Sequence, residues 1–113
     1  MKVAVVGSRS VSPEFYEKIC EYMPIGVSEI VSGGAQGADS LAEEYARRNN
    51  LKLTVFYPDY DTYGRTAPLE RNTLIVKHAD YVLALWDGKS GGTRNVILNC
   101  LEKNKPVKVI LTK

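Results

Sequence analysis

At 113 residues the chain is long enough for one hydrophobic core and too short for a separate catalytic or regulatory module. Its residues are 44% hydrophobic and 25% charged, which is usual for globular domains and argues against disordered, collagen-like and disulfide-scaffold classes. The 15 basic and 13 acidic residues are spread without blocks of like charge, so from the net charge of +2 we expect no nucleic-acid partner.

Short apolar segments alternate with amphipathic segments along the whole chain. The first, residues 3–6, is a continuous apolar run of the kind found in strands buried on both faces of a parallel sheet. Ser12 and Pro13 then form a helix-start pattern of N-cap and first-turn proline. Further strands are predicted at 28–32, 52–57, 80–85 and 107–111, and further helices before Asn49, at 69–78 and at 92–104.

Residues 58–68 carry no periodic pattern. They follow the third predicted strand, which Pro58 stops, and they are rich in tyrosine, aspartate and glycine. We therefore predict a long polar and aromatic loop in this segment.

Five strands that alternate with four helices indicate a three-layer α/β domain, because parallel neighbouring strands need crossover connections. We expect a Rossmann-like fold with a five-stranded parallel sheet in the order 3-2-1-4-5. That order places the topological switch between the first and fourth strands, where such sheets bind ligands at their carboxyl ends. Residues 1–113 are expected to form this single domain, since no repeat, low-complexity tract or linker interrupts them.

Three glycines in five positions connect the second predicted strand to the following helix. We name this segment the first glycine loop; it comprises Gly33, Gly34, Ala35, Gln36, Gly37, Ala38 and Asp39. Glycines permit a close approach to a ligand, and a helix start offers free amides and a positive dipole end to an anion. The loop therefore predicts a phosphate site, with a tight turn that binds nothing as the alternative. Asp39 either contacts ribose hydroxyls or balances the helix dipole.

A dinucleotide-binding fingerprint competes with this interpretation. Ser32, Gly34 and Gly37 approximate its glycine pattern, and Asp59 follows about twenty residues further on. The match is weakened because the loop follows the second strand, and because the chain has no room for the other half of a dinucleotide fold.

A second glycine-rich segment precedes the last predicted helix. We name it the second glycine loop; it comprises Trp86, Asp87, Gly88, Lys89, Ser90, Gly91, Gly92 and Thr93. The run from Gly88 to Ser90 mimics the end of a P-loop, but Leu83 occupies the position of the required first glycine, which excludes that motif. Gly91, Gly92 and the Thr93 hydroxyl instead predict another anion site at a helix start.

Arginines can neutralise a phosphate or a carboxylate with paired donors, and the candidates are Arg9, Arg65, Arg71 and Arg94. Arg9 has the most favourable position because it follows the first strand directly, together with Gly7 and Ser8. Arg71 and Asn72 lie early in a predicted helix and could face the same crevice. For each arginine, a solvated surface position is the alternative.

Aromatic side chains in the loops are candidates for stacking on a nucleotide base, because an aromatic face accepts any base. They are Tyr57, Tyr60, Tyr63 and Trp86, with packing beneath the long loop as the alternative. His78 ends a predicted helix without a neighbouring serine or cysteine nucleophile, so we predict a structural role. No His/Cys cluster has metal-ligand spacing, and neither a metal nor a cofactor is expected.

The remaining segments point to a protein of the cytoplasm. Cys20 and Cys100 lie in apolar, helix-like surroundings and are expected to be buried, reduced thiols. The apolar run that begins the chain is too short for a signal peptide, and no later run approaches a membrane span. We therefore expect no membrane partner, and we expect pairing of helices between two copies in a homodimer.

Four segments in order resemble the YspA/YpsA-related branch of the SLOG superfamily. The two specific ones lie in the glycine loops, Ser32-Gly33-Gly34-Ala35-x-Gly37-Ala38-Asp39 and Trp86-Asp87-Gly88-x-Ser90-x-Gly92-Thr93. The weaker ones are Val6-Gly7-Ser8-Arg9 and Arg71-Asn72. The resemblance covers nearly the whole chain and implies a Rossmann-like fold. It also implies that Arg9, Asp39, Thr93 and the loop glycines line a pocket for a nucleotide or a nucleotide-derived signal.

The superfamily includes two further functions that the resemblance keeps open. LOG phosphoribohydrolases cleave nucleoside monophosphates, and DprA loads recombinase on single-stranded DNA. LOG enzymes carry a glutamate three positions after the threonine of their second glycine loop, where this chain has Val96. A carboxylate stabilises the cationic sugar of glycosidic cleavage, so this difference argues against LOG-type hydrolysis unless Asp39, Glu70 or Asp87 substitutes.

We therefore predict binding of a nucleotide-like, phosphorylated ligand, with a phosphoribohydrolase and a DprA-like module as alternatives. The predicted ligand-binding residues lie at the carboxyl ends of the predicted strands and early in the third predicted long helix. They are Gly7, Ser8, Arg9, Gly33, Gly34, Ala35, Gly37, Asp39, Arg71, Asn72, Trp86, Asp87, Ser90, Gly91, Gly92 and Thr93.

Overall fold

A computed structural model describes all residues from 1 to 113 and contains one five-stranded sheet between helices. The strands are β1 (Lys2–Gly7), β2 (Glu29–Ser32), β3 (Lys52–Val55), β4 (Tyr81–Trp86) and β5 (Val107–Leu111). The helices are α1 (Tyr16–Tyr22), α2 (Ala38–Arg48), α3 (Tyr60–Tyr63), α4 (Ala67–His78) and α5 (Gly91–Glu102). Short 3-10 turns at Pro13–Phe15 and Gly64–Thr66 lead into α1 and α4.

The strand order is β3-β2-β1-β4-β5 and all pairs are parallel. Chain order reverses between β1 and β4, where Val3 lies opposite Tyr81 and Gly7 opposite Leu85. The expected Rossmann-like α/β fold and strand order are therefore confirmed. The carboxyl ends of β1 and β4 form the switch point at which sheets of this kind bind ligands.

The central strand is buried on both faces, as its continuous apolar run predicts. Val3 and Val5 pack in one core with α1 and α2, while Ala4 and Val6 pack in a second core with α4 and α5. These two cores hold the sheet between its helical layers and fix where the loops at the carboxyl edge lie. The edge strands β3 and β5 are only partly buried.

The model differs from the sequence prediction in three places. Residues 58–68 were expected to be a loop, but they contain α3, a 3-10 turn and the start of α4. Asp59 makes this possible because its carboxylate accepts a hydrogen bond from the Thr62 amide at 3.1 Å and caps α3. Strand β3 ends at Val55 rather than at residue 57. Of the two cysteines expected to be buried, Cys100 is buried and Cys20 is exposed.

None of the helices combines the length and the hydropathy that a membrane-spanning segment would need.

Candidate functional site

A cavity of about 300 Å³ opens at the switch point of the sheet. The segments after β1 and β2, the first half of α4 and the start of α5 form its walls. The lining residues are Val6, Gly7, Ser8, Arg9, Gly33, Ala35, Asp39, Pro68, Leu69, Arg71, Asn72, Ile75, Ser90, Gly92, Thr93 and Val96. Residues that are far apart in the chain therefore meet in one concave surface, as the strand order requires.

Most residues that the sequence assigned to a ligand site line this cavity. Five do not: Gly34, Gly37, Trp86, Asp87 and Gly91. The lining also includes apolar residues that the sequence did not assign to the ligand site, namely Val6, Pro68, Leu69, Ile75 and Val96. Their apolar character indicates burial and nothing more, so only the tertiary structure could place them beside the polar groups.

Three amides of the first glycine loop are paired within the protein. The Gly34 amide donates to the Ser32 hydroxyl at 3.2 Å, and the Ala35 amide donates to the Asp39 carboxylate at 2.9 Å. The Ala38 amide, at the start of α2, donates to the Ser8 carbonyl at 3.3 Å. Of the first three amides of α2, only that of Ala38 therefore has an acceptor within the protein.

The glycines of the first loop are required by neighbouring parts of the same protein. Gly37 has a φ of +70°, and a Cβ there would lie 2.5 Å from the Ser8 carbonyl oxygen. Gly34 has a φ of +75°, and a Cβ there would overlap the ring of Tyr57. A side chain at Gly33 would meet the Arg71 guanidinium. These glycines let the loop pack closely against the segments that follow β1 and β3 and against α4.

Asp87 closes the second glycine loop. Its Oδ1 accepts hydrogen bonds from the amides of Lys89 at 2.8 Å and Ser90 at 2.7 Å, and its Oδ2 accepts one from the Ser90 hydroxyl at 2.9 Å. These bonds hold the pKa of Asp87 below its ordinary value. The Trp86 indole donates to the Ser90 carbonyl at 3.1 Å. Asp87 and Trp86 therefore shape the loop, and neither reaches the cavity.

The start of α5 combines unpaired amides with open space. The first helical amides are those of Gly91, Gly92 and Thr93, and no acceptor within the protein pairs with them. A Cβ at Gly91 or Gly92 would meet nothing within 4 Å. Gly92 and Thr93 line the cavity, and Thr93 is only 4% exposed. Free amides, the positive end of a helix dipole and open space coincide here.

Two adjacent residues of α4 connect the two loops. Arg71 Nη1 donates to the Gly33 carbonyl at 2.7 Å, and Arg71 Nε donates to Asn72 Oδ1 at 3.0 Å. Asn72 Nδ2 then donates to Asn95 Oδ1 at 3.1 Å and, more weakly, to the Gly92 carbonyl at 3.4 Å. Asn72 is 5% exposed and uses both ends of its amide within the protein. It therefore fixes the distance between the loops and has little capacity left for a ligand.

The cavity contains two guanidinium groups and one carboxylate. Arg9 is exposed at its edge, and Arg71 is half-buried in its wall. Burial lowers the pKa of Arg71, which remains a cation at neutral pH because the ordinary value is so high. Burial also raises the pKa of Asp39, although the Ala35 amide and the Arg71 charge oppose that shift. The positive groups exceed the negative one, so the cavity favours an anion.

The three carboxylates considered for catalysis lie in different surroundings. Asp39 lines the cavity and is 6% exposed, with one oxygen bonded to the Ala35 amide. Asp87 is engaged in its own loop, and Glu70 is exposed outside the cavity lining. Val96 lies in the cavity wall at 2% exposure, as part of the apolar core. An apolar side chain thus stands where the LOG comparison requires a glutamate.

The remaining candidates surround the cavity or lie away from it. Tyr57, Tyr60 and Tyr63 are exposed and do not line it, and the same holds for Arg65 and Arg94. His78 lies at the end of α4, where its Nε2 is 2.6 Å from the Glu29 carboxylate. That contact agrees with the structural role predicted for the histidine.

The fold and the site define a Rossmann-like α/β domain with an anion-favouring crevice at its topological switch. Within that class, the model of the YspA, cpYpsA-related SLOG family matches residues 16–63, and this chain belongs to that family. The Gene 61 protein of Mycobacterium phage D29 is 33% identical over 84 residues, which cover 69% of this chain and 67% of the phage protein.

Two solved structures share the fold. DNA processing protein A (DprA) from Streptococcus pneumoniae superposes with a TM-score of 0.80 at 22% identity, over 99% of this chain and 50% of that one. DprA from Helicobacter pylori gives a TM-score of 0.74 at 23% identity, over 100% of this chain and 66% of that one. This chain thus spans half of one DprA chain and just under two thirds of the other, and at these identities the likeness concerns the fold alone.

One sequence-based expectation has to be corrected. The H. pylori protein was described for its mode of binding single-stranded DNA, so this fold is used for nucleic acid. The expectation of no nucleic-acid partner, drawn from the net charge of +2, is therefore wrong. Net charge averages over the whole surface, whereas a strand needs only a local set of cations and stacking groups.

Proposed function

We propose that the cavity binds a nucleotide unit by its phosphate group, at the start of α5. The observation that carries this proposal is the set of unpaired amides at Gly91, Gly92 and Thr93, which have no acceptor within the protein. Helix starts of this kind bind phosphate because the amides point at the anion and the dipole favours its charge. The arginines in the cavity supply the neutralising charge.

The remainder of the cavity suits the sugar of the same unit. Asp39 can accept a hydrogen bond from a sugar hydroxyl through the oxygen that Ala35 does not use. Val6, Ile75 and Val96 provide apolar surface behind it. Asp39 and Arg71 interact electrostatically, so a bound phosphate near Arg71 would also change the environment of Asp39.

A nucleotide unit can come from a free nucleotide or from a single-stranded nucleic acid. The phosphate and the sugar are common to both sources, and the cavity geometry alone fits either. The comparison with the DNA-binding DprA fold supports the second source, so single-stranded DNA is the ligand that we favour. Phosphoribohydrolase activity is the less supported alternative, because Val96 takes the place of the glutamate.

Two substitutions and a matched control test the phosphate site. Gly92→Asp places a carboxylate in the first turn of α5, where the dipole stabilises it but where it repels a phosphate. Arg9→Ala removes an exposed cation at the cavity edge. Arg47→Ala removes an exposed arginine at the end of α2, which is outside the cavity lining. Binding of dTMP and of a fluorescein-labelled oligo-dT is measured by calorimetry and by anisotropy.

We expect Gly92→Asp and Arg9→Ala to weaken binding about tenfold to a hundredfold, the usual effect of losing a charge-assisted contact. Arg47→Ala should change affinity less than twofold. Unchanged affinity in Gly92→Asp, with the fold intact by circular dichroism, would disprove the site. Release of free thymine from dTMP, followed by chromatography, would instead establish the hydrolase alternative.

A further inference from the structure

Three tyrosine side chains within seven residues are exposed beside the cavity. Tyr57 is 68% exposed, Tyr60 is 59% exposed and Tyr63 is 47% exposed. Tyrosines of globular proteins usually bury most of the ring, so three exposed rings in so short a segment are unusual. We name these three side chains the tyrosine surface.

The local fold fixes the tyrosine surface in place. The Asp59 carboxylate caps α3, and Gly64 ends it with a φ of +57°. Within this single turn, Tyr60 and Tyr63 are three residues apart and therefore lie on the same side of the helix. The Thr66 hydroxyl donates to the Tyr63 carbonyl at 3.0 Å and adds a further link to the chain after the turn.

The tyrosine surface adjoins the cavity at two points. The ring of Tyr57 packs over Gly34 of the first glycine loop, where a Cβ would overlap it. Arg71 Nη1, in the cavity wall, donates to the Phe56 carbonyl at 3.5 Å, and Phe56 precedes Tyr57 in the chain. The Tyr57 end of the tyrosine surface therefore lies next to residues of the cavity wall.

We propose that the tyrosine surface stacks successive bases of a single-stranded nucleic acid whose phosphate group occupies the cavity. The inference rests on the proposed function and adds where the bases of the strand bind. A free mononucleotide carries one base and can occupy one ring, whereas three exposed rings match a strand of several bases. Stacking is tolerant of sequence because every base has an aromatic face.

The charges around the tyrosine surface assign it to stacking and not to phosphate contact. Between Tyr57 and Arg65 the exposed anions are Asp59 and Asp61, and Arg65 is the one cation. The phosphate contacts therefore come from the cavity arginines. It follows that loss of the tyrosine rings should weaken strand binding without changing its salt dependence, whereas loss of Arg9 should reduce that dependence.

The experiment compares ring removal with ring retention. The variants are the pair Tyr60→Ala with Tyr63→Ala, the matched pair Tyr60→Phe with Tyr63→Phe, and the control Tyr22→Ala on α1, where the side chain is 37% exposed. Fluorescence anisotropy measures the affinity for labelled oligo-dT at several salt concentrations. Calorimetry measures the affinity for dTMP, and size-exclusion chromatography measures the oligomeric state.

We expect the alanine pair to lower oligo-dT affinity by a factor of ten or more at an unchanged salt slope, since each stacked base contributes about 1–3 kcal/mol. The phenylalanine pair and Tyr22→Ala should retain wild-type affinity for oligo-dT. Affinity for dTMP should change less than twofold in all of them.

Three results would overturn the inference. Equal losses for dTMP and oligo-dT would make the surface a base site for a free nucleotide. Unchanged oligo-dT affinity with an altered oligomeric state would make it a contact between two copies of the chain. If Gly92→Asp abolishes binding of oligo-dT but the alanine pair binds it like the wild type, the role of the tyrosine surface is disproved and the phosphate site is not. If the wild type binds neither probe, the proposed function fails together with this inference.

Discussion

The two glycine loops look alike in sequence, since each follows a strand, contains three glycines and precedes a long helix. In the folded protein they differ in what lies beside their glycines. Gly34 and Gly37 of the first loop have positive φ angles and face protein atoms that leave no room for a side chain. Gly91 and Gly92 of the second loop have helical geometry and face open space.

Each loop also pairs some of its amides within the protein. In the first loop, the acceptors are Ser32, Asp39 and Ser8, all parts of the protein. In the second loop, Asp87 uses the early amides, and those of the helix start remain unpaired. Glycine in a loop thus indicates a close approach, and the approaching partner can be the chain itself as well as a ligand. The glycines of the first loop pack against other parts of the protein, whereas Gly91 and Gly92 of the second loop leave space for a ligand.

Gly37→Ala should have the largest effect and tests the structural side of this comparison. Alanine would be strained at a φ of +70°, and its Cβ would overlap the backbone after β1. We expect a loss of about 3 kcal/mol or more in the free energy of unfolding, measured by urea denaturation. A loss below about 1 kcal/mol would show that the first loop does not depend on this packing.

Asn72→Ala tests whether α4 couples the two loops. It leaves Arg71 Nε and Asn95 Oδ1 without their buried partner and removes the bond to the Gly92 carbonyl. We expect a loss of about 1–3 kcal/mol in stability and weaker binding of oligo-dT. Asn72→Asp serves as the companion variant, because it can still accept from Arg71 but cannot donate to the second loop. Equal binding by both variants and the wild type would exclude the coupling.

Glu29→Gln tests the opposite end of β2, away from both loops. Glu29 is 8% exposed, and although burial raises its pKa, hydrogen bonds with His78 and Thr54 and the charge of Lys52 lower it overall. A lowered pKa in the folded state contributes stability above the ordinary glutamate pKa, and that stability is lost as the pH falls through the folded value. We expect Glu29→Gln to cost about 1 kcal/mol at pH 7.

The cost of Glu29→Gln should begin to shrink as the pH falls below the ordinary glutamate pKa, where the unfolded wild type takes up a proton. It should be lost below the lowered pKa of the folded state, where the native carboxylate is protonated as well. Thermal unfolding of both proteins across this range provides the measurement. Binding of oligo-dT at pH 7 should be unchanged, since neither Glu29 nor its partner His78 lines the cavity. If the loss of stability in Glu29→Gln stays constant with pH, the charged carboxylate of Glu29 does not stabilise the fold.

Gly92→Ala should have the smallest effect on stability, and unlike the other substitutions it should stabilise the fold. Alanine has the higher helix propensity, and its Cβ meets nothing within 4 Å, so we expect a gain of about 0.5–1 kcal/mol in the free energy of unfolding. The methyl group would nevertheless stand in the space that a phosphate needs, and oligo-dT affinity should fall. If Gly92→Ala is destabilised but binds oligo-dT normally, Gly92 is needed for folding and not for ligand binding, contrary to the role assigned to the second loop.

Much of the architecture could be predicted from local patterns in the sequence. The apolar run of β1 indicates a strand buried on both faces, and the alternation of strands and helices requires a parallel sheet. The order of that sheet then brings Arg9, Asp39 and Thr93 to one edge, as the cavity lining shows. The α3 turn was missed because its apolar stripe is absent and a single carboxylate cap starts it.

The sequence by itself determined the fold class and the edge of the sheet at which polar and glycine-rich segments gather, because hydrophobic periodicity and crossover rules act on local patterns. It could not determine which glycine loop leaves open space beside its glycines. That depends on distant parts of the chain, such as the Ser8 carbonyl beside Gly37 and the Arg71 guanidinium beside Gly33. Only the tertiary structure therefore decided that the glycines of the first loop pack against the protein and that those at the start of α5 face open space.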